Sequence, residues 1–263
     1  MNTSGRALVV VTTLLVGGVF GGFTSSTAAA ATAAAPEGTA TLYLVQGLPG
    51  AAIDVAVDGK TVAEDAQTTD VVGPIAVSTG TRTLTFTDGD GKVVAENTVD
   101  ARAGSSSDLV LHLTTAAGDP PVVTEFANDL TGVPSDKASL TVAHTAAVPP
   151  ADIRVDGQVL FANVANGESL NLVVPAGTYS VDIVPAGESS PVVFGPVHLT
   201  VQGGSLNRVY AVGDPAATTM NVAVHVLKLP ESGSVPPTMV DTGTGGIAVV
   251  MQLIARILHM WRG

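Results

Sequence analysis

The sequence predicts an all-β protein made of two tandem β-sandwich domains, and three observations carry that expectation. The chain repeats itself at an offset of 98 residues: Ile53-Asp54-Val55-Ala56-Val57-Asp58-Gly59 is answered by Ala151-Asp152-Ile153-Arg154-Val155-Asp156-Gly157. Leu42 and Leu140 keep that offset upstream, and Gly104 and Gly203 hold it to within one residue downstream. A repeat this long is a whole domain rather than a solenoid unit. Both copies also alternate at period two, the spacing that gives a strand one apolar face. Finally, the alternating runs are separated by turn chemistry, with Asp58-Gly59 and Asp156-Gly157 as matching tight-turn dipeptides.

Taken in chain order, residues 1–35 read as a secretory signal peptide and Ala-rich leader. Asn2 to Arg6 is a short, weakly basic start, Ala7 to Phe20 is apolar, and several Ala-x-Ala choices lie between Ala28 and Ala34. Residues 38–129 form the first expected domain. Its strand signals are Ile53/Val55/Val57, Leu84/Phe86 and Leu109/Leu111/Leu113, the last alternating with Val110, His112 and Thr114. Residues 129–137, with Gly132, Pro134 and Asp136, read as a short linker that keeps the domains close.

Residues 138–228 form the second domain, with Leu140/Val142, Ile153/Val155, Tyr179/Val181/Ile183, Val197/Leu199/Val201 and Val222/Val224/Val226 as apolar faces. Residues 229–246 are rich in Pro, Gly, Ser and Thr and read as an extended stalk. Residues 247–263 switch to helical spacing, with Gln252, Arg256 and His259 as a narrow polar stripe on an otherwise apolar segment. A helix over Ile247–Trp261 spans only about 22 Å, short of the roughly 30 Å hydrocarbon core, so the expectation is peripheral membrane contact or docking on a β domain. Leu229-Pro230-Glu231-Ser232-Gly233 also resembles a bacterial cell-wall sorting pentapeptide, with serine in place of the usual threonine.

There is no cysteine, so neither an internal disulfide nor an N-terminal lipid-anchored cysteine is available. Each domain must stand on its apolar core, at roughly 1.5–3 kcal/mol per fully buried large side chain. The net charge is −12, and it is unevenly shared: residues 38–129 hold 13 acids and 4 bases, residues 138–228 hold 6 and 3. That sign disfavours nucleic acid as a partner.

Val142-Ala143-His144-Thr145 followed by Ala151-Asp152-Ile153-Arg154-Val155-Asp156-Gly157, and further on Val174-Pro175-Ala176-Gly177-Thr178-Tyr179, resemble the two hallmarks of the domain of unknown function 4397 family. The first copy departs more, with Gln46 where His144 stands. The resemblance implies exported bacterial β-sandwich modules, immunoglobulin-like or prealbumin-like and often duplicated. It brings no known reaction and no catalytic residues.

Candidate chemistry is sparse. His144, Asp152 and Asp54 are the possible loop or ligand contacts at one end of each sandwich; the structural alternative makes His144 a hydrogen-bonded pin for the loop that follows it. Asp88-x-Asp90-Gly91 has half the ligands of a calcium loop and is expected to be a hairpin turn. Val240-Asp241-Thr242-Gly243 has no second aspartate domain to share a proton with. His112, His198 and His225 lie on strands facing away from the main apolar sets and show no metal spacing. No cofactor, metal ligand set or catalytic group is expected. The expected role is that of an exported, non-enzymatic envelope or extracellular protein that binds an envelope protein, glycan or lipid surface. Two alternatives remain open: an envelope hydrolase or its accessory subunit, needing His144, Asp152 and a nucleophile such as Ser139 or Thr145 to meet, and a cation-binding module using the acidic first copy.

Overall fold

The computed structural model describes residues 38–116 and 118–232, which form sixteen strands and no helix. The first copy contains β1 (Thr39–Gln46), β2 (Ile53–Val57), β3 (Lys60–Ala66), β4 (Val71–Ser78), β5 (Gly80–Asp88), β6 (Val93–Ala101), β7 (Ser106–His112) and β8 (Val122–Ala127). The second contains β9 (Lys137–Ala146), β10 (Ala151–Val155), β11 (Gln158–Val164), β12 (Ser169–Pro175), β13 (Gly177–Pro185), β14 (Phe194–Val201), β15 (Ser205–Gly213) and β16 (Asn221–Lys228).

Each copy is a sandwich of two four-stranded sheets with the same strand order. The first has β4-β1-β7-β8 over β3-β2-β5-β6, and the second has β12-β9-β15-β16 over β11-β10-β13-β14. The pairs β1–β7 and β9–β15 are parallel and every other pair is antiparallel. Alternating side chains fill each interior as their period demands. Leu42, Leu44, Ile53, Val55, Leu84, Phe86, Leu109 and Leu111 do so in the first, and Leu140, Val142, Ile153, Ile183, Leu199 and Val209 in the second.

The repeat extends to backbone detail. Asp58 and Gly59 take φ of 49° and 77°, Asp156 and Gly157 take 49° and 78°, the two positive values a two-residue type I′ hairpin requires. The Asp58 carboxylate accepts the Thr83 N–H at 2.9 Å, and that of Asp156 accepts the Ser180 N–H at 3.0 Å. The two Asp-Gly corners therefore sit in like surroundings. One pairing needs correction. The counterpart of Gly104 is Gly204 rather than Gly203: Gly104 and Gly204 have φ of 72° and 63°, and their N–H groups reach Thr39 O and Lys137 O at 2.8 and 2.7 Å. Gly203 stands instead with its α-carbon against the Ser135 carbonyl.

The sandwiches are not separate bodies on a slack linker; they belong to one compact unit. The sheet carrying β1 and β7 lays its outer face on the outer face of the sheet carrying β9 and β15. Val45, Val110 and Phe126 of the first meet Ala143, Tyr210, Val212 and Ala223 of the second in a third apolar cluster. This explains why β7 and β15 are buried at every position: their two faces belong to two different cores.

The stretch read as a stalk from Leu229 also begins differently. Leu229 is only 3% exposed, its N–H reaches Gly204 O at 3.0 Å, and Pro230 lies against Gly132. The start of the sorting-like pentapeptide is thus held on the body. The leader over 1–35, the remainder of the stalk and the helix expected over 247–263 lie outside the described residues.

Candidate functional site

The expected contact residues sit at equivalent places and bond to backbone. Asp54 lies on β2, where Oδ1 accepts the Asp65 N–H at 2.8 Å; Asp152 lies on β10, where Oδ1 accepts the Asn163 N–H at 2.7 Å. Asp65 and Asn163 are the left-handed residues of matching irregularities, with φ of 53° and 56°, so each carboxylate clamps a strained bend in its neighbouring strand. Asp152 also accepts the Gly187 N–H through Oδ2 at 2.9 Å, and it is buried. Replacing Asp152 by alanine removes a buried carboxylate that holds two backbone donors and is expected to cost about 1–3 kcal/mol. Asp54→Ala strands one exposed donor and should cost less; paired urea titrations check the order.

His144 ends β9. Its Nε2 donates to Pro149 O at 3.3 Å, while Nδ1 is buried without a partner. In the first copy Gln46 occupies this place, donating to Ala51 O at 2.8 Å and accepting the Leu48 N–H at 2.6 Å. A histidine and a glutamine thus hold the same loop by the same bond. Burial is the main influence on the His144 imidazole and holds its pKa below the ordinary value, against the Pro149 bond and the Glu168 charge.

The set a hydrolase would need is not assembled. Thr145 Oγ1 donates to Ala211 O at 2.8 Å, both Asp152 oxygens are occupied by backbone, and Ser139 stands five positions from His144 on one strand, roughly 17 Å away. The Asp88-x-Asp90 segment is a hairpin turn in which Asp88 Oδ1 accepts the N–H of Asp90 at 3.1 Å and of Lys92 at 2.9 Å. Among the described residues no three His, Asp or Glu side chains come together as a metal site.

The largest buried polar constellation lies between the sandwiches, and sequence reasoning missed it. Asp108 on β7 is fully buried. Its Oδ2 accepts the Tyr210 hydroxyl at 2.6 Å and the His225 Nδ1–H at 2.8 Å, and its Oδ1 accepts Asn128 Nδ2 at 2.8 Å. Burial opposes the Asp108 charge, but the His225 bond and charge, with Tyr210 and Asn128, outweigh it and hold the carboxyl below its usual range. The Tyr210 phenol is pushed well above its ordinary value by burial and then by Asp108.

Tyr43 packs against His225 in a tilted arrangement, ring centroids 4.3 Å apart, and Phe126 against Tyr210 likewise at 5.6 Å. Arg208, 2% exposed, donates through Nη2 to Ala127 O across the same seam. Further along, Asn166 Nδ2 donates to Leu113 O of the first sandwich at 3.1 Å and to Ala146 O of its own at 2.7 Å. An acid, an imidazole and a phenol in one network invite a catalytic reading, but Asp108 and Tyr210 are wholly buried and His225 is 8% exposed. No reacting group reaches them in this state. What the network does is fix one sandwich on the other, because each partner left alone would be a desolvated polar group.

A signal for it existed. Asp108 and Arg208 are the only charged residues of β7 and β15, and each shares its face with a large apolar residue, Val110 or Val212, the pattern of a strand covered on both sides. His112, noted as facing away from its core, lies on that second face and bonds Thr124.

In sequence, a comparison with curated proteins gives no match. Among solved structures, the chain is similar to the crystal structure of a "putative cell adhesion protein" from Bacteroides fragilis NCTC 9343, at 11% identity and a TM-score of 0.16, over 71% of this chain and 86% of that one. A likeness that slight carries no argument. The family comparison falls on the first sandwich and the start of the second rather than on the copy whose motifs suggested it: over residues 40–151 the chain matches the domain of unknown function DUF4397.

Proposed function

We propose that this chain is an exported, non-enzymatic protein of the cell envelope or its surroundings. Its two sandwiches act as one stiff body that presents end loops to a binding partner. The buried Asp108 network carries this reading. A protein whose largest polar cluster is spent on domain orientation is built for geometry, and loops on a rigid scaffold are where recognition residues sit. At the sandwich ends, two surface clefts of about 800 and 810 Å³ are bordered by such loops, one by Asp100, Arg102, Glu125 and Asp129, the other by Ser135, Gly203 and Lys228. The acidic first copy favours a neutral glycan or a basic protein surface over an anionic one.

Export is tested by sequencing the N-terminus of the protein recovered from cells and medium. A mature start within residues 29–36 is expected. A chain retained in the cytosol with Met1 or Asn2 at its end would refute the reading. Binding is tested by pull-down from envelope extracts with the full mature chain, repeated with Asp108→Ala. Undiminished capture by that variant would show that domain orientation is not what the partner reads.

A further inference from the structure

The second sandwich is open along one side where the first is closed. In the first, β6 lies against β8, and Asn97 Nδ2 bridges to Val123 O at 3.5 Å. In the second, the equivalent strands β14 and β16 border a cleft of about 200 Å³ that reaches the core between the sheets. Register identifies the cause. Asn97 pairs opposite Leu84 and Val197 opposite Val181, so Val197 takes the place of the bridging amide. Glu125 pairs opposite Leu109 and Val224 opposite Val209, so Val224 takes the place of an acid. Phe194, Val197, Leu199, Val222 and Val224 line the opening, and Val224, on the core-facing side of β16, is 43% exposed. Polar-to-apolar replacement at both lips leaves a contiguous apolar surface that water-soluble proteins usually cover.

We propose that the chain's own C-terminal segment covers it: apolar residues between Ile247 and Trp261 seat on the β14/β16 opening. Position and length favour this occupant. The described chain ends at Ser232, just past β16, which is itself one lip of the opening. The fourteen residues from 233 to 246 reach as far as about 46 Å, while the path back from Lys228 to Val222 along β16 is about 20 Å. A tethered apolar segment acts at an effective concentration of order millimolar, above that of any free competitor. The segment is also rich in Ile, Val, Leu and Met while too short to span a bilayer.

Trp261 is the only tryptophan in the chain, so its fluorescence reports on this segment alone. In the full chain, without lipid, its emission is expected to be blue-shifted and shielded from acrylamide. Val224→Glu, which restores the residue type of the first sandwich, should shift it to the red and expose it. Ile254→Glu should do the same from the tail side, where it cannot disturb the sandwich. Three results would overturn the proposal. One is shielding that survives either substitution, which places the segment elsewhere. A second is exposure in the unmodified chain that is relieved only by phosphatidylglycerol vesicles, which makes a membrane surface the occupant. The third is exposure under all conditions.

Discussion

Replacing Asp108 by alanine is expected to remove about 3–5 kcal/mol of folding stability, the cost of taking one member from a buried charged network. The variant keeps the backbone of β7 but leaves the Tyr210 hydroxyl, the His225 Nδ1–H and one Asn128 donor without their acceptor. It also removes a negative charge from the seam that holds the buried Arg208. Because the network joins two otherwise complete sandwiches, the loss should also split unfolding. The unmodified protein is expected to melt in one transition and Asp108→Ala in two, as the sandwiches lose their coupling. Calorimetry reads both effects. A double-mutant cycle with Tyr210→Phe separates the network from packing, since Tyr210→Phe should cost much less once Asp108 is gone. A single transition with a loss below about 1 kcal/mol would mean the seam owes its strength to its apolar contacts alone.

Acidification from pH 8 to pH 5 is expected to lower the melting temperature, and His144→Gln should flatten the fall. His112 and His144 are both buried, and burial holds both pKa values below the ordinary histidine value; for His112, the neighbouring His144 adds to the depression. Each has a place only for the neutral ring. His112 Nδ1–H donates to Leu113 O at 2.8 Å and its Nε2 accepts from Thr124, while His144 has one donor bond and an unpartnered Nδ1. Below about pH 6.5 the unfolded chain therefore binds protons that the folded chain refuses, and stability falls as pH falls toward the folded values. Asp108 acts in the same direction at lower pH: its folded pKa lies below the unfolded one, so its contribution is full above the unfolded value and disappears as pH drops through the folded value. His144→Gln installs the residue the first copy uses at that position, so the loop bond survives. The variant should match the unmodified protein at pH 8 and exceed it at pH 5. Identical slopes would assign the pH response elsewhere.

Much of the fold was legible because strand physics is local. Period-two alternation marked Leu109 and Leu111 as inward, Asp58-Gly59 and Asp156-Gly157 marked the corners, and the 98-residue offset carried one domain onto the other. What escaped was the second face. Val110, His112, Tyr210 and His225 alternate against their own cores, and a single strand does not say whether its outer face meets water or another domain. The loop pins were half legible. His144 was singled out, but its equivalence to Gln46 becomes physical only once both are seen bonding the loop carbonyl five residues on. The β14/β16 opening was not legible, because it depends on what stands opposite Val197 and Val224 across a sandwich edge.

The seam has a polarity that the duplication alone would not supply. Equivalent faces of the two copies meet, and by register Asp108 corresponds to Arg208. Two first sandwiches joined by this face would bury two carboxylates in one seam, and two second ones two guanidiniums. Only an unlike pair brings one acid and one guanidinium into the same seam. Chains that trade halves can therefore close into exchanged dimers, but like halves cannot stack into open fibres through this surface.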